Sequence, residues 1–175
     1  MSLDFTASVR RAQAGDAGAF AELYSLVYKD LYRIALLNLN NQHDASDVVS
    51  DTVLEAYTSI KNLREPKAFK AWITKILTVK IKNKRKEYAQ INNLQKDFDD
   101  VDESRLEDVK QEISFEALEV MEGFAQLEEE EKIVLALSVV SGYSSEETAR
   151  MLGTNANTVR SKAARAKAKL KKLIT

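Results

Sequence analysis

The sequence predicts an all-α fold made of two small helical domains. Its 175 residues are rich in Ala, Leu, Glu and Lys, which favour helices, and include five glycines and one proline. A fold built from many strands needs more turns than so few glycines and prolines provide. Apolar residues also recur at the spacing of amphipathic helices. The expected units are residues 1–90, an acidic flexible linker over residues 91–109, and residues 110–175, which contain a helix-turn-helix.

Two amphipathic helices are predicted in the first part of the chain. The first has one apolar stripe, which comprises Phe20, Leu23, Tyr24, Val27, Leu31 and Ile34. A polar run from Asn40 interrupts the pattern, and a second helix is expected from about Asp44. Its inner face should consist of Val49, Val53, Ala56, Tyr57 and Ile60. Its outer face is acidic with one exposed apolar residue, and consists of Asp47, Asp51, Leu54 and Thr58.

A loop and a long basic helix are expected next. Residues 62–66 should form the loop, because a residue before proline avoids the helical region, and Pro66 suits a first helical turn. The helix then passes through Phe69, Trp72, Ile73 and Ile76 into a basic cluster of Lys80, Lys82, Lys84, Arg85 and Lys86. Trp72 shares the helical phase of Phe69 and Ile76, which favours core packing over an exposed position.

The net charge of −1 conceals a strong segregation of charge. Residues 97–131 are heavily acidic, whereas every charged side chain from Thr158 onward is basic. Basic clusters supply sequence-independent affinity for phosphate when they share a surface, although each is also compatible with a solvated helix face. The aspartates in the linker do not form a calcium-binding loop, because the glycine and the terminal glutamate of such a loop are absent at the required positions. A solvated linker is therefore favoured over a metal site.

The C-terminal part has the pattern of a helix-turn-helix. One helix, with Ile133, Val134, Leu137 and Val140 inward, should end at Gly142. A capping box of Ser144 and Glu147 should begin a second helix, and Gly153 should end it. This second helix should bury Ala149 and Leu152, and a small residue at Ala149 would let the two helices cross closely.

The third helix has the properties of a DNA-recognition helix. Asn155 is expected to cap it, and one stripe should be buried, formed by Val159, Ala163, Ala166, Leu170 and Leu173. Recognition helices present the residues of their N-terminal half to base edges. The residues expected to contact DNA are Asn157, Thr158, Arg160, Ser161, Lys162 and Arg165. DNA binding is favoured over an α-hairpin with a merely charged surface.

These segments, taken in order, resemble the extracytoplasmic-function (ECF) sigma factors of the sigma-70 class. Residues 44–53, DASDVVSDTV, resemble region 2.2 of that family, and residues 68–73, AFKAWI, resemble region 2.3. The basic helix that follows resembles region 2.4, and residues 143–170 resemble region 4.2. The resemblance therefore extends over nearly the whole chain.

The resemblance implies an alternative sigma factor that binds core RNA polymerase and directs promoter-specific transcription initiation. Region 4.2 would read the −35 element in the major groove, and region 4 would meet the β flap. Region 2.2 would bind the β′ clamp helices through Asp44, Asp47, Val48, Ser50, Asp51 and Leu54. The loop before region 2.3 would capture a flipped base, and with the basic helix it would bind the −10 element through Asn62, Arg64, Lys67, Lys75, Lys80, Lys82, Asn83 and Lys86.

Three departures from the family pattern are visible. Val79 and Asn83 stand where an asparagine and an aspartate are common, and a valine cannot supply the hydrogen bonds of an amide. The preferred −10 sequence is therefore expected to differ from the one common in the family. Ser50 and Asp51 replace a frequent Gln-Glu pair, and Glu128 replaces a proline that usually follows the leucine matching Leu127.

Other classes of function are less well supported by the residues. The single histidine, His43, lies in a polar run without a visible nucleophile partner, and there is neither a cysteine nor a Gly-rich phosphate loop, so no enzyme, cofactor or metal is expected. No apolar stretch approaches a membrane span, and a bacterial cytoplasmic protein is expected. The family also implies an anti-sigma partner. A conventional helix-turn-helix regulator and a helical adaptor protein are the alternatives.

Overall fold

The computed structural model describes residues 4–94 and 115–174. Its helices are α1 (Thr6–Gln13), α2 (Ala17–Leu39), α3 (Gln42–Ser59), α4 (Phe69–Leu94), α5 (Phe115–Ala125), α6 (Glu129–Leu135), α7 (Ser145–Leu152) and α8 (Ala156–Ile174). Those two ranges contain no strand, and the all-α prediction is confirmed. Most of the predicted linker falls outside the described residues, since α4 continues to Leu94 and the description resumes at residue 115.

The first four helices pack around one apolar core. The stripe predicted for α2 is confirmed, with Tyr24 partly buried and the remaining members buried. Helix α4 contributes a second stripe, which comprises Phe69, Ile73, Leu77 and Ile81. The ring of Phe69 lies 5.6 Å from that of Phe5, so the chain before α1 also closes over this core.

Two asparagines make the junction between α2 and α3. Asn40 adopts the left-handed conformation (φ 51°) that ends α2. Asn41 caps α3, because its side-chain oxygen accepts a hydrogen bond from the amide of Asp44 at 3.0 Å. Helix α3 therefore begins at Gln42, slightly before the expected position.

The inner face predicted for α3 is correct except at Tyr57. Val49, Ala56 and Ile60 are buried and Val53 is partly buried, but Tyr57 is 49% exposed. Its ring lies edge-on to Phe20, with centroids 5.1 Å apart. Tyr57 is at the edge of the apolar stripe, where one side of the ring covers the core and the other faces water.

The last four helices form a second cluster around α8. Its core includes Phe124, Ile133, Val134, Leu137, Val159 and Ala166. A π-helical turn over Ala136–Val140 extends α6 toward Gly142. Leu173, expected on the buried stripe, is instead 44% exposed. The stripe ends at Leu170, which meets α5 at Gly123, where a Cβ atom would lie 2.6 Å from Leu170 Cδ1.

The predicted helix boundaries of the helix-turn-helix are confirmed. Ser144 and Glu147 form a reciprocal capping box. Gly142 and Gly153 both have positive φ angles, +77° and +68°, as helix-ending glycines require. The side chain of Asn155 accepts a hydrogen bond from the amide of Thr158 at 2.9 Å, which caps α8.

Replacement of the α8 cap should destabilise the C-terminal cluster. We expect Asn155→Ala to lower the free energy of unfolding by about 1 kcal/mol, because the amide of Thr158 loses its acceptor. Urea denaturation followed by circular dichroism measures this change. Asn155→Asp keeps an acceptor at the cap and is the matched control. Equal stability of the wild type and the alanine variant would contradict the capping role.

The two helical groups also contact each other. Helix α2 packs against α5 and α6, and α4 packs against α7. The hydroxyls of Thr74 and Tyr143 are hydrogen-bonded across this junction at 3.0 Å. In the part of the chain that the structure describes, no helix is both long and apolar enough to cross a membrane.

Candidate nucleic-acid interface

The N-terminal half of α8 is presented to solvent by the helix-turn-helix. Val159 and Ala166 are fully buried against α6 and α7, which fixes the opposite side of α8 outward. Four of the six predicted DNA contacts are exposed, namely Asn157, Arg160, Ser161 and Arg165. The guanidinium of Arg160 donates to Asn157 Oδ1 at 2.6 Å and to Glu146 at 3.3 Å. These contacts hold the guanidinium near the start of the helix, where base edges are read.

Two predicted contacts on α8 are partly buried. Thr158 hydrogen-bonds to the cap residue Asn155, and Lys162 forms an ion pair with Glu130 on α6. The hydrogen bond from Lys162 lowers the pKa of Glu130. Lys162 is therefore paired with a carboxylate of the neighbouring helix.

A buried carboxylate joins α6 to α8. Glu131 is 5% exposed and accepts hydrogen bonds from Lys169 Nζ at 2.9 Å and from the amide of Glu128 at 3.1 Å. The hydrogen bond from Lys169 lowers the pKa of Glu131. Sequence reasoning missed this residue because it lies in an acidic run, although Glu128 and Glu131 have the spacing of a capping box.

The outer face of α3 is acidic and exposed, as predicted. Asp47, Ser50 and Asp51 face solvent, and Leu54 is 65% exposed among them. Asp44 is partly buried, since it accepts a hydrogen bond from Tyr88 and lies 3.7 Å from Lys84 Nζ. We define the acidic face as Asp44, Asp47, Ser50, Asp51 and Leu54.

Val48 was predicted to bind polymerase together with these residues, but it is not exposed with them. Its side chain is 3% exposed, because it packs inward next to Val49. Val48 therefore packs beneath the acidic face.

The loop before α4 is exposed and is held by α1. Asn62, Arg64 and Lys67 all face solvent. The side-chain amide of Gln13 donates hydrogen bonds to the carbonyl oxygens of Ile60 at 2.9 Å and Leu63 at 2.8 Å. Gln13 was not identified from the sequence, because nothing local marks a bond to a loop about fifty residues away.

The basic cluster of α4 divides between different sides of the helix. Lys75, Lys82, Asn83 and Lys86 are exposed, and Val79 is exposed beside them. Lys80 is partly buried and lies 3.7 Å from Glu55 on α3, so it faces away from that group. We define the α4 basic face as Lys75, Lys82, Asn83 and Lys86.

Arg85 is buried and has a structural role. It is 8% exposed and donates to Asn38 Oδ1 at 2.6 Å. Burial lowers the pKa of its guanidinium. Arg85 therefore ties α4 to the end of α2, and the basic run in the sequence overstated the charge available to DNA.

Trp72 lies at the edge of the core. Its ring centroid is 6.1 Å from that of Phe69, which agrees with the core packing expected of it. The same side chain lines a groove that α7 closes through Glu147, Arg150 and Met151.

Comparisons with known proteins identify the family. The chain matches the family models described as Sigma-70 region 2, over residues 22–90, and Sigma-70, region 4, over residues 117–170. The ECF RNA polymerase sigma factor SigM of Mycobacterium tuberculosis is 30% identical over 92% of this chain and 80% of its own length. This chain belongs to the ECF RNA polymerase sigma factors. As a sigma factor it binds core RNA polymerase and directs promoter-specific transcription initiation.

Further relatives of this sigma factor agree with the assignment. RNA polymerase sigma factor NccH of Alcaligenes xylosoxydans xylosoxydans is 29% identical over 96% of this chain and 93% of its own length. The structure of sigma factor RpoE with the anti-sigma factor NepR from Bartonella quintana has a TM-score of 0.74 at 20% identity, covering 89% of this chain and 96% of that one. The structure of CnrH in complex with the cytosolic domain of CnrY has a TM-score of 0.68 at 23% identity, covering 98% of this chain and 96% of that one. At these identities the structures demonstrate a shared fold.

Proposed function

We propose that this sigma factor uses four surfaces, two for promoter DNA and two for core polymerase. The N-terminal half of α8 reads the −35 element. The loop over residues 62–67 and the α4 basic face bind the −10 element, with the loop accepting a flipped base. The acidic face of α3 binds the β′ clamp helices, and the C-terminal cluster meets the β flap. The observation that carries this division is the exposure of Arg160 and Arg165 on a helix whose other side is buried.

We also propose that the chain acts by binding alone and is restrained by an anti-sigma protein. Two of the similar solved structures are complexes, one of RpoE with the anti-sigma factor NepR and one of CnrH with CnrY. The site of action is the bacterial cytoplasm, where core RNA polymerase meets the promoter.

Run-off transcription tests the proposed function. Bacterial core RNA polymerase is given genomic fragments with and without this chain. Discrete new transcripts that share upstream elements support the proposal and define the promoter. Failure of the chain to bind core polymerase would overturn it.

Removal of the two exposed arginines of α8 should weaken binding to the −35 element. We expect Arg160→Ala and Arg165→Ala each to reduce the free energy of DNA binding by about 1–3 kcal/mol if the guanidinium contacts a base. The reduction should be smaller if the guanidinium contacts phosphate alone. Fluorescence anisotropy with a duplex from the run-off promoter, repeated at several salt concentrations, separates the two cases. Lys167→Ala removes an exposed charge from the C-terminal half of α8 and is the control. An equal loss in all three variants would contradict base reading by the N-terminal half.

A further inference from the structure

Val79 is an exposed apolar residue in the middle of the α4 basic face. Its side chain is 48% exposed, whereas Leu77 and Ile81, on the opposite side of the helix, are fully buried. An α-helix turns about 100° per residue, so Val79 lies about 40° from Lys75 and about 20° from Lys86 around the helix axis. The valine therefore points away from the core and in the same direction as these lysines.

Neither helix stability nor core packing accounts for a valine at this position. A β-branched side chain loses rotamer freedom in a helix, so valine favours a helix less than the lysines around it do. Ile91 of the same helix is also exposed, but it lies about five turns after Ile73 and thus continues the core stripe. Single apolar side chains are common on protein surfaces, and what distinguishes Val79 is its place among cations.

The lysines around Val79 determine what the valine would meet in a complex. Lys75 and Lys86 are both exposed and lie about 16 Å apart along the helix axis, the length of about five nucleotides of one DNA strand. Lysines bind phosphates whatever the base sequence, and they fix the position of the DNA on the protein. Val79 lies between the two lysines along the axis. DNA held by these lysines therefore brings its base edges close to the valine.

A valine side chain discriminates between bases through apolar contact. It has neither a hydrogen-bond donor nor an acceptor, unlike Asn83, which lies one turn further along the same face. Among the four bases of DNA, thymine alone carries a methyl group, at C5, and apolar side chains contact that methyl group. The chemistry of Val79 therefore matches a thymine and gives no advantage to a cytosine, which has the same ring position without the methyl group.

We propose that Val79 sets part of the −10 sequence preference by contacting the C5-methyl group of a thymine, while the lysines beside it bind the adjacent phosphates. This inference rests on the proposed function, in which the α4 basic face binds the −10 element. It adds a preference for one base, which the phosphate affinity of lysines cannot provide.

Replacement of single thymidines by deoxyuridine tests the methyl contact directly, because deoxyuridine pairs with adenine in the same way and lacks only the methyl group. Holoenzyme is formed from core polymerase and the full chain. Its affinity is measured for the run-off promoter with each thymidine of the −10 element replaced in turn. We expect one replacement to weaken binding of the wild type about fourfold, the effect of burying one methyl group. The same replacement should leave the affinity of the Val79→Ala holoenzyme unchanged.

Two further variants control for general effects on α4. Val79→Ile keeps the apolar contact and should keep the sensitivity to deoxyuridine. Ile91→Ala removes an exposed aliphatic side chain from another side of the helix and should behave as the wild type does. A deoxyuridine effect that persists in Val79→Ala would overturn the proposal, because another residue would then contact the methyl group. Wild-type binding that is indifferent to every replacement would overturn it as well.

Lysine variants distinguish failure of this inference from failure of the proposed function. Lys75→Ala and Lys82→Ala should weaken binding to all the templates equally and reduce its salt dependence, since lysines contact phosphate. If they do so and no deoxyuridine effect depends on Val79, the inference fails and the proposed function stands. Unchanged binding in both lysine variants would overturn the assignment of α4 to the −10 element, and the inference with it.

Discussion

Reversal of two charges on the acidic face of α3 should abolish transcription while DNA binding persists. Asp47 and Asp51 are exposed one helical turn apart, beside the exposed side chain of Leu54. We expect Asp47→Lys/Asp51→Lys to weaken core polymerase binding about a hundredfold or more, because like charges brought together at an interface cost several kcal/mol. Both positions are solvent-exposed, so the variant should fold normally.

The measurement is a pair of binding assays on the same protein samples. Affinity for core polymerase is measured at low and moderate salt, since screening should reduce the difference between variant and wild type. Affinity for a −35 duplex is measured in parallel and should be unchanged. Glu22→Lys reverses an exposed carboxylate on α2, outside the acidic face, and is the control. Parallel loss of polymerase and DNA binding in the double variant would contradict the assignment of this face to polymerase.

Truncation of Phe69 should cause the largest loss of stability in the N-terminal cluster. The side chain is fully buried at the start of α4, between the rings of Phe5 and Trp72. We expect Phe69→Ala to lower the free energy of unfolding by about 3–5 kcal/mol, because it removes apolar contacts and leaves a cavity. Phe69→Leu keeps most of the volume and should cost clearly less.

Urea unfolding measures this effect, and Trp72 fluorescence follows the N-terminal cluster in particular. The same truncation should weaken binding of the −10 strand, since the loop proposed to accept a flipped base directly precedes Phe69. A cost below about 1 kcal/mol would show that the site collapses around the smaller residue and would contradict a central role for Phe69 in this core.

Local patterns predicted much of the fold. The stripe of α2 depends on helical spacing, and the caps at Ser144 and Asn155 depend on neighbours three residues away. Such features are encoded within one or two turns of chain. Tyr57 and Leu173 were misplaced because spacing identifies a stripe but not where its edge meets water.

The candidate site was less predictable, because its important pairings join distant segments. Arg85 resembles its neighbours in a basic run, yet its partner Asn38 lies on another helix. Lys162 was predicted to contact DNA, but in the structure it forms an ion pair with Glu130. Charge is visible in a sequence, whereas the packing that exposes or occupies a charged side chain is set by the tertiary fold.

The two hydrogen bonds from Gln13 restrain the loop that is proposed to bind the −10 element. Gln13 lies in α1, before residue 22, where the match to Sigma-70 region 2 begins. A fragment cut at that boundary would lack both hydrogen bonds, and the loop over residues 62–67 would sample more conformations. Binding of the flipped base would then include the entropy of ordering the loop, which α1 otherwise removes in advance. If the loop binds the −10 element as proposed, helix α1 preorganises it from outside the segment that matches Sigma-70 region 2.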